Sequence, residues 1–188
     1  MHSLIDLFAY KVYKEKILPK SDILKMKYAM NVIWNEIIKF ALLMIIFGLL
    51  NKLNLFLFCT TLLLPIRIFS GGVHFKRRIP CFIGSLSCFA LAILIFPSIL
   101  NMTVKMAVIL MLISIIIVYI YSPISSSFRP ILNEKRKRVL NYLSVFFTLI
   151  CVFILFKFAL LYNKAFFECG IWTISLQAFQ LIIGKELR

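Results

Sequence analysis

Acidic residues are scarce in this 188-residue chain, seven against 22 Lys plus Arg, and histidine is scarcer still at two. Only 15% of the residues are charged, where a soluble domain carries about a quarter. A water-soluble globule is thereby excluded, because so short a chain could not bury the apolar remainder. Two histidines and scattered cysteines make no set of zinc ligands, and neither a metal nor another cofactor is expected. The cysteines suggest no disulfide framework. Cys59, Cys88, Cys151 and Cys169 lie within or beside apolar runs, where a thiol behaves as a small hydrophobe. No h-region followed by small residues opens the chain, so no cleavable signal peptide is predicted and the first span serves as the insertion signal. The apolar runs hold few polar side chains (Thr60, Thr61, Ser85, Ser87, Ser114, Thr148 and Gln177) and no mid-span carboxylate pair. That speaks against a transporter, whose spans usually carry ionisable groups. Internal repeats are also missing.

What is present is apolar. Hydrophobic residues make up 62% of the chain, 19 of them Phe, and the mean hydropathy is +0.98. A bilayer accommodates this composition because lipid is the apolar solvent. The expected fold is an all-α integral membrane protein with about six transmembrane helices preceded by amphipathic interfacial helices. A span takes about 20 residues, which places candidates at 36–50, 53–69, 81–100, 104–122, 139–162 and 165–184. The first is short: either residues upstream such as Ile33 and Trp34 complete it, or it is re-entrant. Asn51-Lys52 alone joins the first two runs and predicts a tight turn.

The basic excess would suggest nucleic acid in a soluble protein; here it is expected to mark cytoplasmic loops, with no nucleic-acid partner. Residues 1–39 hold seven lysines, residues 67–80 four basic residues, residues 123–138 five and the C-terminus two, which leaves only Lys52, Lys105, Lys157 and Lys164 on the other side. Six spans with both termini in the cytoplasm reproduce this alternation. The chain reads as one membrane domain over 1–188, with an amphipathic segment over 1–35 and a helical bundle over 36–188. In the former, Leu4, Leu7, Phe8 and Val12 share one helical stripe; after Pro19, Ser21 can cap a second helix with Ile23, Met26, Met30 and Ile33. Such helices lie on membrane lipid or dock a membrane-bound partner.

The chemistry-bearing segment is the basic loop over 67–81, Pro65 to Cys81 reading PIRIFSGGVHFKRRIPC. His2 stands at the extreme terminus, so any His-dependent chemistry falls on His74. Cys81 is the only cysteine at a water-facing boundary of a span. Seven residues on a straight helix rise about 10.5 Å, too far for a hydrogen bond, so the chain must turn back between them. Gly71-Gly72 permits positive φ before His74, and Pro80 suits the first turn of the next helix. A thiol there is acidified by the helix N-terminus and by Lys76, Arg77 and Arg78, and His74 can take its proton. The same residues are compatible with a passive cysteine at a helix start in a scaffold protein.

Arg67, the string Ser70-Gly71-Gly72-Val73-His74 and Cys81 resemble the accessory gene regulator B (AgrB) family of bacterial membrane endopeptidases. Chain length, the basic amphipathic N-terminus and Tyr121-Ser122-Pro123 before a basic run are similar too. The resemblance implies quorum-sensing chemistry: Cys81 as nucleophile and His74 as general base cleave the acidic tail from an autoinducing-peptide precursor, and the peptide's own Cys or Ser closes a thiolactone or lactone. It also implies that Arg67 orients the loop or holds substrate carboxylates, that Gly72 permits the turn, that the basic loop faces the acidic tail, and that the protein sits in the bacterial cell membrane. Relatives resemble homodimers, and Phe146, Phe147, Phe153, Phe156 and Phe158 are expected to face lipid or a second copy. The stretch Pro123-Ile124-Ser125-Ser126-Ser127 lacks the acid that relatives often show, so no third catalytic carboxylate is assigned there. Glu36, beside a span entrance, is expected to pair with Lys39 or to lie among headgroups.

Overall fold

The computed structural model describes residues 7, 10–11, 13–15, 19–72, 78–124 and 133–186. Every regular element among them is helical. Helix α1 spans Lys20–Leu49 and α2 spans Leu53–Ser70. Helix α3, Arg78–Ala90, runs through a π-helical turn at Leu91–Ile95 into the short α4, Phe96–Ile99. Helix α5 is Val104–Tyr121. Helix α6, Glu134–Ile154, passes through a second π turn at Leu155–Ala159 into α7, Leu160–Tyr162. Helix α8 is Lys164–Glu186. Among the described residues six helical segments are long and apolar enough to cross a membrane: this is a multi-pass membrane protein.

The six spans fall close to the apolar runs of the sequence, with one correction. The segment 20–34 does not form a separate amphipathic helix; it is continuous with the first span in a 30-residue helix. Nothing between Lys20 and Phe47 is Pro or Gly, so no residue breaks the ladder. At 1.5 Å per residue this helix is about 45 Å long, against about 30 Å of hydrocarbon, so it needs no re-entrant geometry. Lys39 Nζ lies 2.5 Å from Glu36 Oε2, the pairing expected of that carboxylate.

The chain divides into two compact units, residues 1–46 and 47–188. The first consists of the N-terminal segment and most of α1. The second holds the bundle. Asn51 takes a φ of 54° in the turn between α1 and α2, a left-handed conformation that Asn tolerates better than most residues. Thr103 caps α5 and Asn133 caps α6 through their side-chain oxygens, which satisfies free N–H groups at each start.

Helix α8 is the centre of the bundle. Residues 167–174 are all buried, and the helix packs against α5, α2 and both π turns. Gly170 makes the closest approach possible: a methyl group there would stand 2.3 Å from Leu155 Cδ2 and 3.1 Å from Leu62 Cδ1. Small residues serve this purpose between membrane helices, where lipid provides no hydrophobic drive. Pro97 stands just beyond the first π turn; a proline clashes with the carbonyl four residues earlier, and a widened turn accommodates that. Four hydroxyls within spans are satisfied by their own helices. Thr60, Thr61, Ser114 and Thr148 each donate to the carbonyl four residues back.

Candidate functional site

The candidate site grows from the end of α2. Pro65 stands inside that helix, and Arg67 falls in its last turn. The helix stops at Gly71, whose N–H donates to Arg67 O at 3.0 Å and whose backbone takes φ 77° and ψ −157°. This conformation is essentially restricted to glycine. The freedom needed for the turn therefore resides at Gly71. Gly72, the position that the family resemblance favoured, is not in a positive-φ conformation. It is buried against the Arg67 side chain, and a methyl there would lie 3.5 Å from Arg67 Nε, an ordinary contact.

Two distant segments hold this chain end. Ile124 N–H donates to Ser70 O at 2.9 Å. Gln177, on α8 and 2% exposed, donates its Nε2 to Gly71 O at 2.9 Å and to Ser70 Oγ at 3.3 Å. The segment carrying Ile124 is itself secured. Ser122 Oγ and Ser144 Oγ are 2.7 Å apart, and Asn141 Nδ2 donates to Ser122 O and Tyr119 O at 2.6 and 2.8 Å. The Ser122–Pro123 peptide bond is cis. Lys185 near the end of α8 lies over the Tyr121 ring at 4.7 Å.

Cys81 is half-buried near the start of α3, the fourth described residue of that helix. Pro80 precedes it within the first described turn, where a helical N–H has no intrahelical acceptor to lose. Ser85 and Cys88 follow at four and seven residues, one face of a helix. Both line a small pocket with Arg67, Thr173, Gln177 and Gln180. The face bearing Cys81 is thus the face that meets α2 and α8, and Cys81 stands about 6 Å of helical rise before Ser85. The pocket is polar for a membrane bundle. Gln180 Nε2 donates to Cys88 Sγ, and the side-chain oxygens of Gln177 and Gln180 are buried without a hydrogen-bond partner among the described residues.

His74, Lys76 and Arg77 lie outside the described residues, as does the side chain of Arg78. Five residues, 73–77, connect the anchored Gly71-Gly72 end to α3. The structure therefore brings together Arg67, Gly71 and Gly72 on one side of this connection and sets Cys81 on the other. Sequence reasoning missed the anchors Gln177, Gln180 and Asn141. Gln177 alone gave a signal, as a large amide in the middle of an apolar run, where a polar side chain is expensive unless hydrogen-bonded.

Comparison with known proteins decides the family. The family model for accessory gene regulator B matches residues 5–181. The chain belongs to the AgrB family. An AgrB-like protein of Clostridium beijerinckii is 27% identical over 166 residues, covering 88% of this chain and 80% of its own. Accessory gene regulator protein B of Staphylococcus saprophyticus is 29% identical, covering 97% of this chain and 95% of its own, and that of Staphylococcus carnosus is 29% identical over 71% and 70%. No solved structure matches the chain. Membership of the AgrB family implies a part in accessory gene regulator quorum sensing.

Proposed function

We propose that this protein is a membrane cysteine endopeptidase that cleaves the tail from an autoinducing-peptide precursor and permits the remaining peptide to cyclise. The observation that carries the reading is the position of Cys81, half-buried near the start of α3 and four and seven residues before Ser85 and Cys88, which line a pocket with Arg67 and Gln177. His74 is the only histidine in the connecting loop. In this reading His74 takes the Cys81 proton and the thiolate attacks the carbonyl carbon before the acidic tail. A C–S bond forms, the C–N bond breaks, and His74 returns the proton to the departing amine. A Cys or Ser side chain of the peptide then attacks the thioester, closing the ring and releasing the Cys81 thiol. Arg67, Lys76, Arg77 and Arg78 attract the acidic tail, and Arg67 can receive a carboxylate bidentately.

The basic loops put both termini and this loop on the cytoplasmic face of a bacterial cell membrane. The whole chain acts as one membrane domain that a second copy can pair with. Co-expression with a precursor bearing an amphipathic leader, a central Cys and an acidic tail tests the reading. Mass spectrometry should find the tail removed by the wild type and retained with Cys81→Ala and His74→Ala at equal membrane levels. Undiminished processing by both variants would sink the endopeptidase assignment.

A further inference from the structure

We propose that the pocket between α2, α3 and α8 binds a single water molecule that bridges Arg67 to the side-chain oxygens of Gln177 and Gln180, and that the two glutamines thereby position the guanidinium. What this does for the substrate rests on the endopeptidase reading above. Arg67 comes to the pocket from α2, Ser85 and Cys88 from α3, and Thr173, Gln177 and Gln180 from α8. The last three are spaced at four and three residues, one face of a helix. Amides inside a span are costly unless hydrogen-bonded, and these two are bonded through the nitrogen only. Gly71 O can only accept, so the Gln177 nitrogen must face it, as it does at 2.9 Å. Gln180 Nε2 donates to Cys88 Sγ. Both amide oxygens are buried without a partner among the described residues, and Gln177 as a whole is 2% exposed.

The lining selects the occupant. Two orphaned oxygens call for two hydrogens. Arg67 takes part in none of the ion pairs among the described residues, and a guanidinium has only donors, so it calls for an acceptor. An anion would satisfy Arg67 but set further lone pairs against both amide oxygens. A cation would satisfy the oxygens but be repelled by Arg67. A neutral molecule with two donors and an acceptor meets all three groups. The cavity measures about 10 Å³, and one water needs about 10–15 Å³ with two to four polar partners. A bridging water is nearly as favourable as a direct hydrogen bond. Of the five N–H groups of Arg67, one serves the water and two remain for a carboxylate. The bridge therefore holds a long, rotamer-rich side chain in place for the acidic tail, and acts on binding of that tail rather than on bond cleavage.

Two measurements on the full-length protein test this. In lipidic-mesophase crystals that resolve ordered water, one water should lie within hydrogen-bonding distance of Arg67, Gln177 Oε1 and Gln180 Oε1. It should be lost in Gln180→Met, which keeps the volume and removes the acceptor. A lipid chain, an ion or no density at this place in the wild type would overturn the proposal. In lipid nanodiscs, processing is then followed for two precursors, one with an acidic tail and one with the tail Asp and Glu changed to Asn and Gln. Gln180→Met should raise KM for the acidic precursor about 3- to 10-fold, the worth of one hydrogen bond. Its kcat should stay within about twofold and KM for the neutral precursor should not move. On an Arg67→Ala background the same substitution should change neither KM, because the effect passes through the guanidinium. An unchanged KM in variant protein that elutes and melts as folded, equal shifts for the two precursors, or the same shift without Arg67 would each overturn the proposal. Wild-type protein that processes no better than Cys81→Ala would overturn the endopeptidase reading, and the crystals would still decide the water site.

Discussion

Gly71→Ala should destabilise the protein far more than Gly72→Ala, although the two glycines are adjacent. At φ 77° and ψ −157°, any side chain at Gly71 is strained, by about 1–3 kcal/mol. The new methyl would also meet Ile124 O at 2.9 Å. That oxygen is backbone, and the N–H of the same residue is bonded to Ser70 O at 2.9 Å, so neither partner can retreat without breaking the bond. The upper end, about 3 kcal/mol, applies, roughly a hundredfold in the folding equilibrium. Asn should not rescue it, because Asn tolerates the left-handed helical region at ψ near about +47°, and ψ here is −157°. At Gly72 the methyl would touch only the mobile end of Arg67 at 3.5 Å, so the fold should be retained and any loss of processing should run through the guanidinium. Denaturant titration in mixed micelles, with precursor processing measured in parallel, separates the two effects. Equal unfolding midpoints for Gly71→Ala and Gly72→Ala would refute the reasoning.

Gly170→Ala should cost about 1–3 kcal/mol by overpacking, and Leu155→Ala in the same chain should recover part of that loss, because Leu155 Cδ2 is the atom displaced; thermal melts of the single and double variants check this. Asn141→Ala should cost about 1–3 kcal/mol, since it deprives both Tyr119 O and Ser122 O of a donor and leaves them unsatisfied; a micelle unfolding titration reads it. Ser144→Ala removes the hydroxyl that meets Ser122 Oγ and should cost about 1 kcal/mol, less than Asn141→Ala in the same titration.

The spans were legible because hydropathy acts locally: each apolar run needs only its own residues to declare itself. The length of α1 was not, because Lys25, Lys27, Glu36 and Lys39 interrupt the apolar pattern while leaving the backbone free of breakers. The π turns at Leu91–Ile95 and Leu155–Ala159 pack on α8, a tertiary contact that leaves no mark in a hydrophobic pattern. His74 and Cys81 stood out by elimination. The two glycines did not separate, since sequence shows that φ freedom is available nearby but not which residue uses it. Gln177 showed only as an amide in an apolar run; its partner Gly71 lies 106 residues away, beyond any local pattern.

The anchors and the helix end obey one requirement. A helix that stops leaves its last carbonyls without intrahelical donors, and non-helical backbone in a membrane protein is tolerated only where protein or water satisfies it. At the end of α2 the carbonyls of Ser70 and Gly71 are such groups; Ile124 N–H donates to the first, and Gln177 Nε2 and Ser70 Oγ donate to the second. The bonds that cap the helix are therefore the bonds that tie its end to two distant parts of the chain. Because one distant donor comes from the segment after α5 and the other from α8, the end of α2 at Ser70-Gly71 is secured only when α2, α5 and α8 have packed. Assembly of the bundle and assembly of the site become one event, so substitutions that loosen α8, Gly170→Ala among them, should impair processing before they unfold the protein.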